Sequence, residues 1–153
     1  WLERGRVRAD GPGHEVCAAY EADVATRLAN RILPLMTQAR RGRMILVGSR
    51  VASGMAGRSQ YAATKAALLS LARSWAAESI SGGVTVNVVS PAATDTPMLQ
   101  DPARSNTTPR LPPIGRLIQP NEVAALVAFL TRPEAAAITG QDIAICGGAS
   151  VQR

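Results

Sequence analysis

The apolar positions of this chain change between a helical spacing and short continuous runs. Residues 15–41 predict a first helix because apolar side chains recur every three or four residues along it: Val24, Leu28, Ile32 and Leu35. Residues 44–47 read MILV, and a run without any polar position is typical of a parallel strand that is buried on both faces. The pattern therefore predicts a helix followed by a buried strand.

Two more pairs of helix and strand are predicted downstream. Residues 62–78 are rich in Ala and Leu and contain no Gly or Pro, which indicates a helix, and the β-branched run at 84–89 indicates a strand. A third helix is expected to begin at Pro120, with one apolar face: Val123, Leu126, Val127 and Leu130. Residues 142–146 predict the last strand.

Helices that alternate with buried strands indicate the α/β class, with a parallel sheet and right-handed crossovers. We expect three strands, in chain order, with helices on the flanks. Residues 1–14 mix Arg, Gly, Pro and acidic residues without periodicity and predict an irregular leader, so the domain is expected to span residues 15–153. Ligands of such sheets bind beyond the carboxyl ends of the strands, which here lie near Ser49, Pro91 and Gly147.

Length, charge and apolar content exclude several classes of protein. The 153 residues suffice for about one domain. The formal net charge is +6, but the arginines are scattered and aromatic residues make up only 3%, so no surface for nucleic acid is expected. No apolar stretch approaches the ~20 residues of a membrane span, and the start of the chain lacks the apolar region of a signal peptide. We therefore expect a cytoplasmic protein with neither a membrane nor a nucleic-acid partner.

The cysteines and the single lysine give the first indications of chemistry. Cys17 and Cys146 have no second Cys or His at ligand spacing, which predicts neither a disulfide framework nor a metal site. Lys65 is the only lysine among 17 basic residues. Because a compact ammonium and a guanidinium are not interchangeable beside a titrating group, Lys65 is a candidate functional residue.

Tyr61 and Lys65 are four residues apart at the start of the second predicted helix, which places them on one helix face. A free phenol exchanges protons poorly near neutral pH, whereas a nearby ammonium favours the phenolate, so the pair is a candidate general acid/base. Ser49, at the tip of the preceding strand, can present its hydroxyl to a carbonyl oxygen held near Tyr61. The spacing alone is also typical of a tyrosine that anchors a helix and a lysine that faces solvent.

Four segments, taken together and in this order, resemble the short-chain dehydrogenase/reductase family over roughly residues 20–150. They are residues 42–49 (GRMILVGS), 61–68 (YAATKAAL), 86–98 (VNVVSPAATDTPM) and 138–148 (ITGQDIAICGG). Each segment alone is a weak signal. Their shared order, with Gly115-Arg116 and residues 120–123 (PNEV) between the last two, makes the resemblance specific.

The resemblance implies part of a Rossmann-like, doubly wound parallel sheet and an enzyme that interconverts an alcohol and a ketone with NAD or NADP. It implies that Tyr61 is the catalytic acid/base, that Ser49 orients the carbonyl, and that Lys65 assists Tyr61 and holds the ribose hydroxyls of the nicotinamide nucleoside. Hydride transfer belongs to the cofactor, while the protein positions the substrate and moves the proton.

The resemblance also assigns cofactor contacts, a loop and an interface. The residues expected to line the nicotinamide are Pro91, Ala92, Thr94 and Thr96, together with Tyr61 and Lys65. Residues 97–118 correspond to the family's substrate loop. The partners implied are a small alcohol or ketone and further copies of the chain, as a dimer or tetramer packed through the helices at about 15–41 and 60–79. The second helix is expected to add an apolar surface beyond its core face: Ala66, Leu69, Ala72 and Ala76, with Arg73.

Three positions depart from the family pattern. Ser49 lies 12 residues before Tyr61, one fewer than expected, so the loop between them is shortened; Ser53 is a weaker alternative to Ser49. Ala92 replaces the usual Gly, and its methyl group can restrict close approach of the backbone to the cofactor. Residues 21–23 read EAD where an Asn of the family's proton relay is expected, and Asn30 lies about two turns too late.

One large part of the family pattern has no counterpart in this sequence. That part is the unit of strand, Gly-rich turn and helix that binds a pyrophosphate. We therefore expect the C-terminal, catalytic part of such an enzyme without the N-terminal nucleotide-binding βαβ unit. The alternative is a truncated, inactive relative that acts as a packing or oligomerisation module. A serine hydrolase would need a G-x-S-x-G turn and a late His, whereas residues 47–51 read VGSRV and the only histidine is His14.

Overall fold

The structure, a computed structural model, describes residues 2–3, 6–7, 13–99 and 110–151. Its regular elements are, in chain order, β1 (Leu2–Glu3), β2 (Arg6–Val7), α1 (Gly13–Gln38), β3 (Gly42–Val47), α2 (Ser59–Ser79), β4 (Val84–Pro91), α3 (Pro120–Leu130) and β5 (Asp142–Ile145). Short 3-10 helices lie between them, at Arg50–Ser53, Ile80–Gly82, Pro97–Leu99 and Pro133–Ala135.

The centre of the fold is a three-stranded parallel sheet in the order β3-β4-β5. β3 pairs with β4 from Gly42 opposite Val84 to Val47 opposite Val89. β4 continues beyond β3 and pairs with β5, so that Pro91 lies opposite Ile145. The α/β class and the parallel sheet in chain order are confirmed.

The core has one apolar layer on each face of β4, because its alternate valines point to opposite sides of the sheet. Val84, Val86 and Val88 are buried on the face covered by α1 and α2, where Leu33 and Trp75 pack against them. Val89 lies on the other face, and the residues of α3 and its flanks pack there: Leu130, Ala135, Val123, Leu126 and Val127. The sheet is therefore covered by α1 and α2 on one side and by α3 on the other.

The element boundaries differ from the prediction at the two ends of α1. β1 and β2 pair antiparallel within the segment 1–14 that was expected to be irregular, and α1 begins at Gly13. α1 ends at Gln38 rather than at residue 41. The Arg40 N–H donates to the Thr37 carbonyl and the Arg41 N–H to the Met36 carbonyl. Arg40 has a φ of 50°, so these bonds form a Schellman motif that stops the helix.

β3 is an edge strand with apolar groups at the surface. Within the described part of the chain it pairs only with β4, and Val47 at its end is 57% exposed. An apolar cavity of about 380 Å³ lies between β3 and α1, lined by Val24, Ala25, Leu28, Ala29, Ile32, Met44 and Leu46. None of the helices in the described ranges is long and apolar enough to cross a membrane.

Candidate active site at the strand ends

The carboxyl ends of β3 and β4 are packed directly against each other. The Gly48 N–H, just beyond β3, donates to the Val89 carbonyl at 2.8 Å and extends the ladder by one residue. A Cβ atom on Gly48 would lie 2.5 Å from Ser90 Oγ and 2.6 Å from Val88 Cγ1. Only a glycine therefore fits here without displacing side chains of β4, and this close approach places Ser49 at the strand-end edge of the sheet.

The Ser49 hydroxyl is held by its own turn. It is 9% exposed, and its Oγ accepts a hydrogen bond from the Val51 N–H at 3.2 Å, which caps the 3-10 helix Arg50–Ser53. This bond occupies a lone pair, so the hydroxyl can still donate its hydrogen, as a carbonyl-orienting group must. Ser53 is exposed and donates to the Arg50 carbonyl, which makes it the poorer candidate.

Lys65 is buried between the end of β3 and the ring of Tyr61. Both residues lie in the first two turns of α2, as predicted. Lys65 is 7% exposed, and its Nζ donates to the Val47 carbonyl at 3.2 Å. The same Nζ lies 5.8 Å from the centroid of the half-buried Tyr61 ring. The ammonium is therefore not a solvated surface charge.

The segment that follows β4 is held by a backbone bond to β5 and by hydrogen bonds from its own side chains to its own backbone. The Ala92 N–H donates to the Ile145 carbonyl at 3.1 Å, which continues the pairing with β5. The Thr94 hydroxyl donates to the Ala92 carbonyl at 3.0 Å, and the Thr96 hydroxyl to the Thr94 carbonyl at 3.4 Å. Among the described residues Arg40 is the only non-glycine with a positive φ, so alanine is accommodated at position 92 without backbone strain.

A returning segment that was not predicted from the sequence pairs with this turn. The Ile118 N–H donates to the Ala93 carbonyl at 3.0 Å, and the Asp95 N–H donates to the Ile118 carbonyl at 2.8 Å. Ile118 is 2% exposed. The substrate-loop prediction covers 97–118; residues 100–109 of it lie outside the described residues, whereas Ile118 anchors its far end beside Thr94.

The start of α3 is fixed by a charged pair whose two residues lie on either side of Ile118 in the sequence. Arg116 donates two hydrogen bonds to the Glu122 carboxylate, at 2.7 Å and 2.9 Å. Glu122 also accepts the Gln119 N–H at 2.7 Å, as in a capping box. The hydrogen bonds from Arg116 and from the Gln119 backbone lower the pKa of Glu122 to about 2. The Gly115-Arg116 and PNEV segments entered the sequence analysis only as parts of the family resemblance, and the contact between them was not predicted.

The remaining candidate residues lie on α1 or directly after β5, and two of their side chains are not described. Asp23 forms an ion pair with Arg27 on α1, and Asn30 is exposed on the same helix. The side chains of Glu21 and Cys17 lie outside the described ones. Cys146 is a free, half-buried thiol whose pKa is lowered by a hydrogen bond from the Ser150 hydroxyl. Within the described ranges no group of three His, Cys, Asp or Glu residues could hold a metal ion.

Comparison with known proteins gives consistent matches over most of the chain. The family described as enoyl-(acyl carrier protein) reductase matches residues 14–150. The 3-oxoacyl-[acyl-carrier-protein] reductase FabG of Vibrio cholerae is 45% identical over 126 residues, which cover 80% of this chain and 51% of that protein. FabG of Escherichia coli is 41% identical over 126 residues, with the same shares. The chain thus spans about half the length of the curated relatives it matches.

Comparison with solved structures gives matches to proteins of the same kind. A protein described as a short chain dehydrogenase/reductase family protein superimposes with a TM-score of 0.82 at 33% identity. The match covers 95% of this chain and 61% of that protein. A 3-oxoacyl-[acyl-carrier protein] reductase from Brucella melitensis with bound NAD gives a TM-score of 0.68 at 30% identity, over 80% of this chain and 46% of its own. The actinorhodin polyketide ketoreductase with NADPH gives 0.69 at 30% identity, over 76% and 50%.

Proposed function

Because the chain belongs to the short-chain dehydrogenase/reductase family, we propose that its strand-end site takes part in the NAD(P)-dependent interconversion of a ketone and an alcohol. One observation carries this proposal. Lys65 is a buried ammonium held between the Val47 carbonyl and the Tyr61 ring, immediately beside the strand end that bears Ser49. A buried charge at a fixed position next to a phenol and a hydroxyl suits proton transfer better than stabilisation of the fold.

The groups beyond the strand ends suit a nicotinamide nucleoside. Hydroxyl groups at Thr94 and Thr96 and the backbone at Pro91 and Ala92 can bind its amide, and the Lys65 ammonium can bind hydroxyls of its ribose. Ala92 adopts an ordinary backbone conformation, so its methyl group does not strain the segment. When bound, the reduced cofactor supplies the hydride that is added to the carbonyl carbon.

The residues of the chain supply the remaining steps. The Ser49 hydroxyl donates a hydrogen bond to the substrate carbonyl oxygen. The Tyr61 hydroxyl donates its proton to the same oxygen, which becomes the hydroxyl of the alcohol. The Lys65 ammonium stabilises the phenolate left on Tyr61, which regains a proton from solvent. Such a general acid contributes ~10²- to 10⁴-fold to the rate. In oxidation the same groups act in reverse.

For the substrate we propose a 3-oxoacyl thioester, the class named in the curated relatives. The matching family description names an enoyl reductase, which would reduce a C=C bond instead. A carbonyl oxygen can accept a hydrogen bond from each of two donors, as the proposed roles of Ser49 and Tyr61 require, whereas a C=C bond offers no such acceptor. Oxidation of NADPH with acetoacetyl-CoA but not with crotonyl-CoA would support this choice. The opposite preference would contradict it.

A second candidate function is a packing module without activity of its own, and the β3 edge favours it. An unpaired apolar strand invites pairing with another polypeptide strand. We propose that a further strand, from the half of the relatives' length that this chain does not match, pairs with β3 and covers Val47. The 153-residue chain alone should then bind NAD(P)H weakly. Calorimetric titration of this chain with NADPH tests the second candidate, since micromolar affinity would contradict the packing module.

We also propose that copies of the chain associate through α1 and α2. A groove of about 560 Å³ between these helices is lined by apolar and polar groups: Ala29, Asn30, Leu33, Pro34, Thr37, Gln38, Trp75, Glu78 and Ser79. The expectation that Ala72 and Ala76 belong to this surface was wrong, because both pack in the core against β4, at 1% and 4% exposed. The expected cytoplasmic location stays a prediction.

The experiment that tests the proposed roles is substitution at Tyr61 and Lys65 in the reductase assay. Tyr61→Phe keeps the ring and removes the proton, so kcat should fall ~10²- to 10⁴-fold with little change in stability. Lys65→Arg should also lower kcat, because a planar guanidinium cannot occupy the place of a compact ammonium 3.2 Å from the Val47 carbonyl. Wild-type turnover in Lys65→Arg would contradict the role of the chain's single lysine.

A further inference from the structure

Arg50 directly follows Ser49, and its side chain crosses from the end of β3 to the end of β5. Its Nη1 donates to the Ala149 carbonyl at 3.2 Å, across 99 residues of sequence. Arg50 is half-buried, and among the described residues this carbonyl is the one hydrogen-bond partner of its guanidinium. The contact thus joins the turn that carries Ser49 to the turn that follows β5.

The backbone hydrogen bonds within the turn after Ser49 fix its shape but do not connect it to β5. The Ala52 N–H donates to the Ser49 carbonyl at 2.9 Å, and the Gly54 N–H to the Val51 carbonyl at 2.9 Å. Both bonds lie within the turn. The bond from Arg50 to Ala149 is therefore the hydrogen bond that relates this turn to β5.

The turn after β5 is itself packed against the segment that returns to Ile118. The Ile114 N–H donates to the Gly147 carbonyl at 3.0 Å. A Cβ atom on Gly147 would lie 2.5 Å from Ile114 Cγ2, and one on Gly148 would lie 3.3 Å from Pro113 Cβ. Because the returning segment goes on to pair with Ala93 and Asp95 through Ile118, the β5 turn links the Ser49 side of the site to the Thr94 side.

We propose that Arg50 is a positioning residue for Ser49. By tying the Ser49 turn to the β5 turn, it fixes the Ser49 hydroxyl relative to the segment of Thr94 and Thr96. The inference rests on the proposed function of Ser49 as the carbonyl-orienting group. A guanidinium suits this task because its donors lie in a rigid plane on a long stem, whereas lysine offers a single mobile ammonium.

Amide hydrogen exchange on the 153-residue chain tests whether Arg50 holds the two turns together, and it does not require enzyme activity. Arg50→Met keeps most of the stem and removes the donors, and exchange at Ala52 and Gly54 should become about tenfold faster, equivalent to ~1.4 kcal/mol. Arg58→Met is the matched control, because Arg58 is exposed beside the same loop and carries the same charge. Equal exchange in the two variants would overturn the proposal.

Kinetics then distinguish positioning from a purely structural contact. In the form of the protein that reduces ketones, Arg50→Met should lower kcat about tenfold with the KM for NADPH unchanged, and Arg50→Lys should recover part of the loss. Faster exchange with an unchanged kcat would assign Arg50 a structural role and overturn the positioning role. If the wild-type protein did not reduce ketones, the proposed function would be refuted instead. The exchange result would still decide whether Arg50 holds the two turns together.

Discussion

Asn87 is a buried amide on β4 that holds the segment leading into β5, and we expect its removal to be costly. It is 1% exposed. Its Nδ2 donates to the Ile138 carbonyl at 2.7 Å, and its Oδ1 accepts the Gln141 N–H at 3.1 Å. Asn87→Ala therefore leaves one backbone acceptor and one backbone donor without their side-chain partner.

The surroundings of these two backbone groups determine how much free energy of unfolding Asn87→Ala loses. A buried polar group that loses its partner costs about 1–3 kcal/mol. Ile138 is half-buried and Gln141 is exposed, so water can partly replace the amide, and we expect about 2–4 kcal/mol in total. In a domain of this length each kcal/mol lowers Tm by roughly 2–4 °C, so Tm should fall by roughly 5–15 °C.

Urea unfolding followed by circular dichroism measures this loss. Asn87→Asp should be destabilised at least as much at neutral pH, because it keeps the acceptor for Gln141 but turns a carboxylate oxygen toward the Ile138 carbonyl. Gln141→Ala is the control, since it keeps the backbone N–H and changes an exposed side chain, and should stay within about 0.5 kcal/mol of wild type. An urea midpoint of Asn87→Ala equal to that of wild type would refute the reasoning.

Three further predictions concern the packing of Gly48, the pair of Arg116 and Glu122, and the association of copies of the chain. Gly48→Ala should cost about 1–3 kcal/mol, because the new Cβ would overlap the buried Ser90 hydroxyl; an unchanged Tm would contradict the close packing of the strand ends. Glu122 has its pKa lowered from 4.5 to about 2, so its pair with Arg116 stabilises the fold fully above about pH 4.5 and is lost as the pH falls toward 2. Glu122→Gln should abolish this part of the acid dependence of unfolding, and an identical dependence in both proteins would contradict the assignment. Sedimentation at high micromolar concentration should show a dimer or tetramer that Asn30→Arg weakens, whereas a monodisperse wild-type monomer would contradict association through α1 and α2.

The strands could be predicted because a strand that is buried on both faces requires a continuous run of apolar residues, which is visible in the sequence. Residues 44–47 and 84–89 contain runs of apolar or β-branched residues, and both lie within strands of the structure. The end of α1 left no such trace. Arg40 occupies the left-handed position that usually favours glycine, so the charged residues after Gln38 looked like a continuing helix end.

Contacts between distant segments account for what was missed at the candidate site. Ile118 pairs with Ala93 and Asp95 through its backbone, and backbone pairing does not require a particular residue type. Arg50 resembled any other scattered arginine until its carbonyl partner 99 residues away was known. Small side chains were ambiguous for a different reason, because Ala72 and Ala76 fit a core as well as an interface between copies.

Turnover of a ketone by Tyr61→Phe tests the central claim most directly. The chain would be assayed alone and joined to the part of the Vibrio cholerae FabG relative that it does not match, with NADPH and acetoacetyl-CoA as substrates. We predict little activity for the chain alone and clear activity for the joined protein. Tyr61→Phe should lower the kcat of the joined protein ~10²- to 10⁴-fold while NADPH still binds. Equal kcat in Tyr61→Phe and in the unsubstituted protein, or a joined protein that binds NADPH and reduces no ketone, would contradict the account.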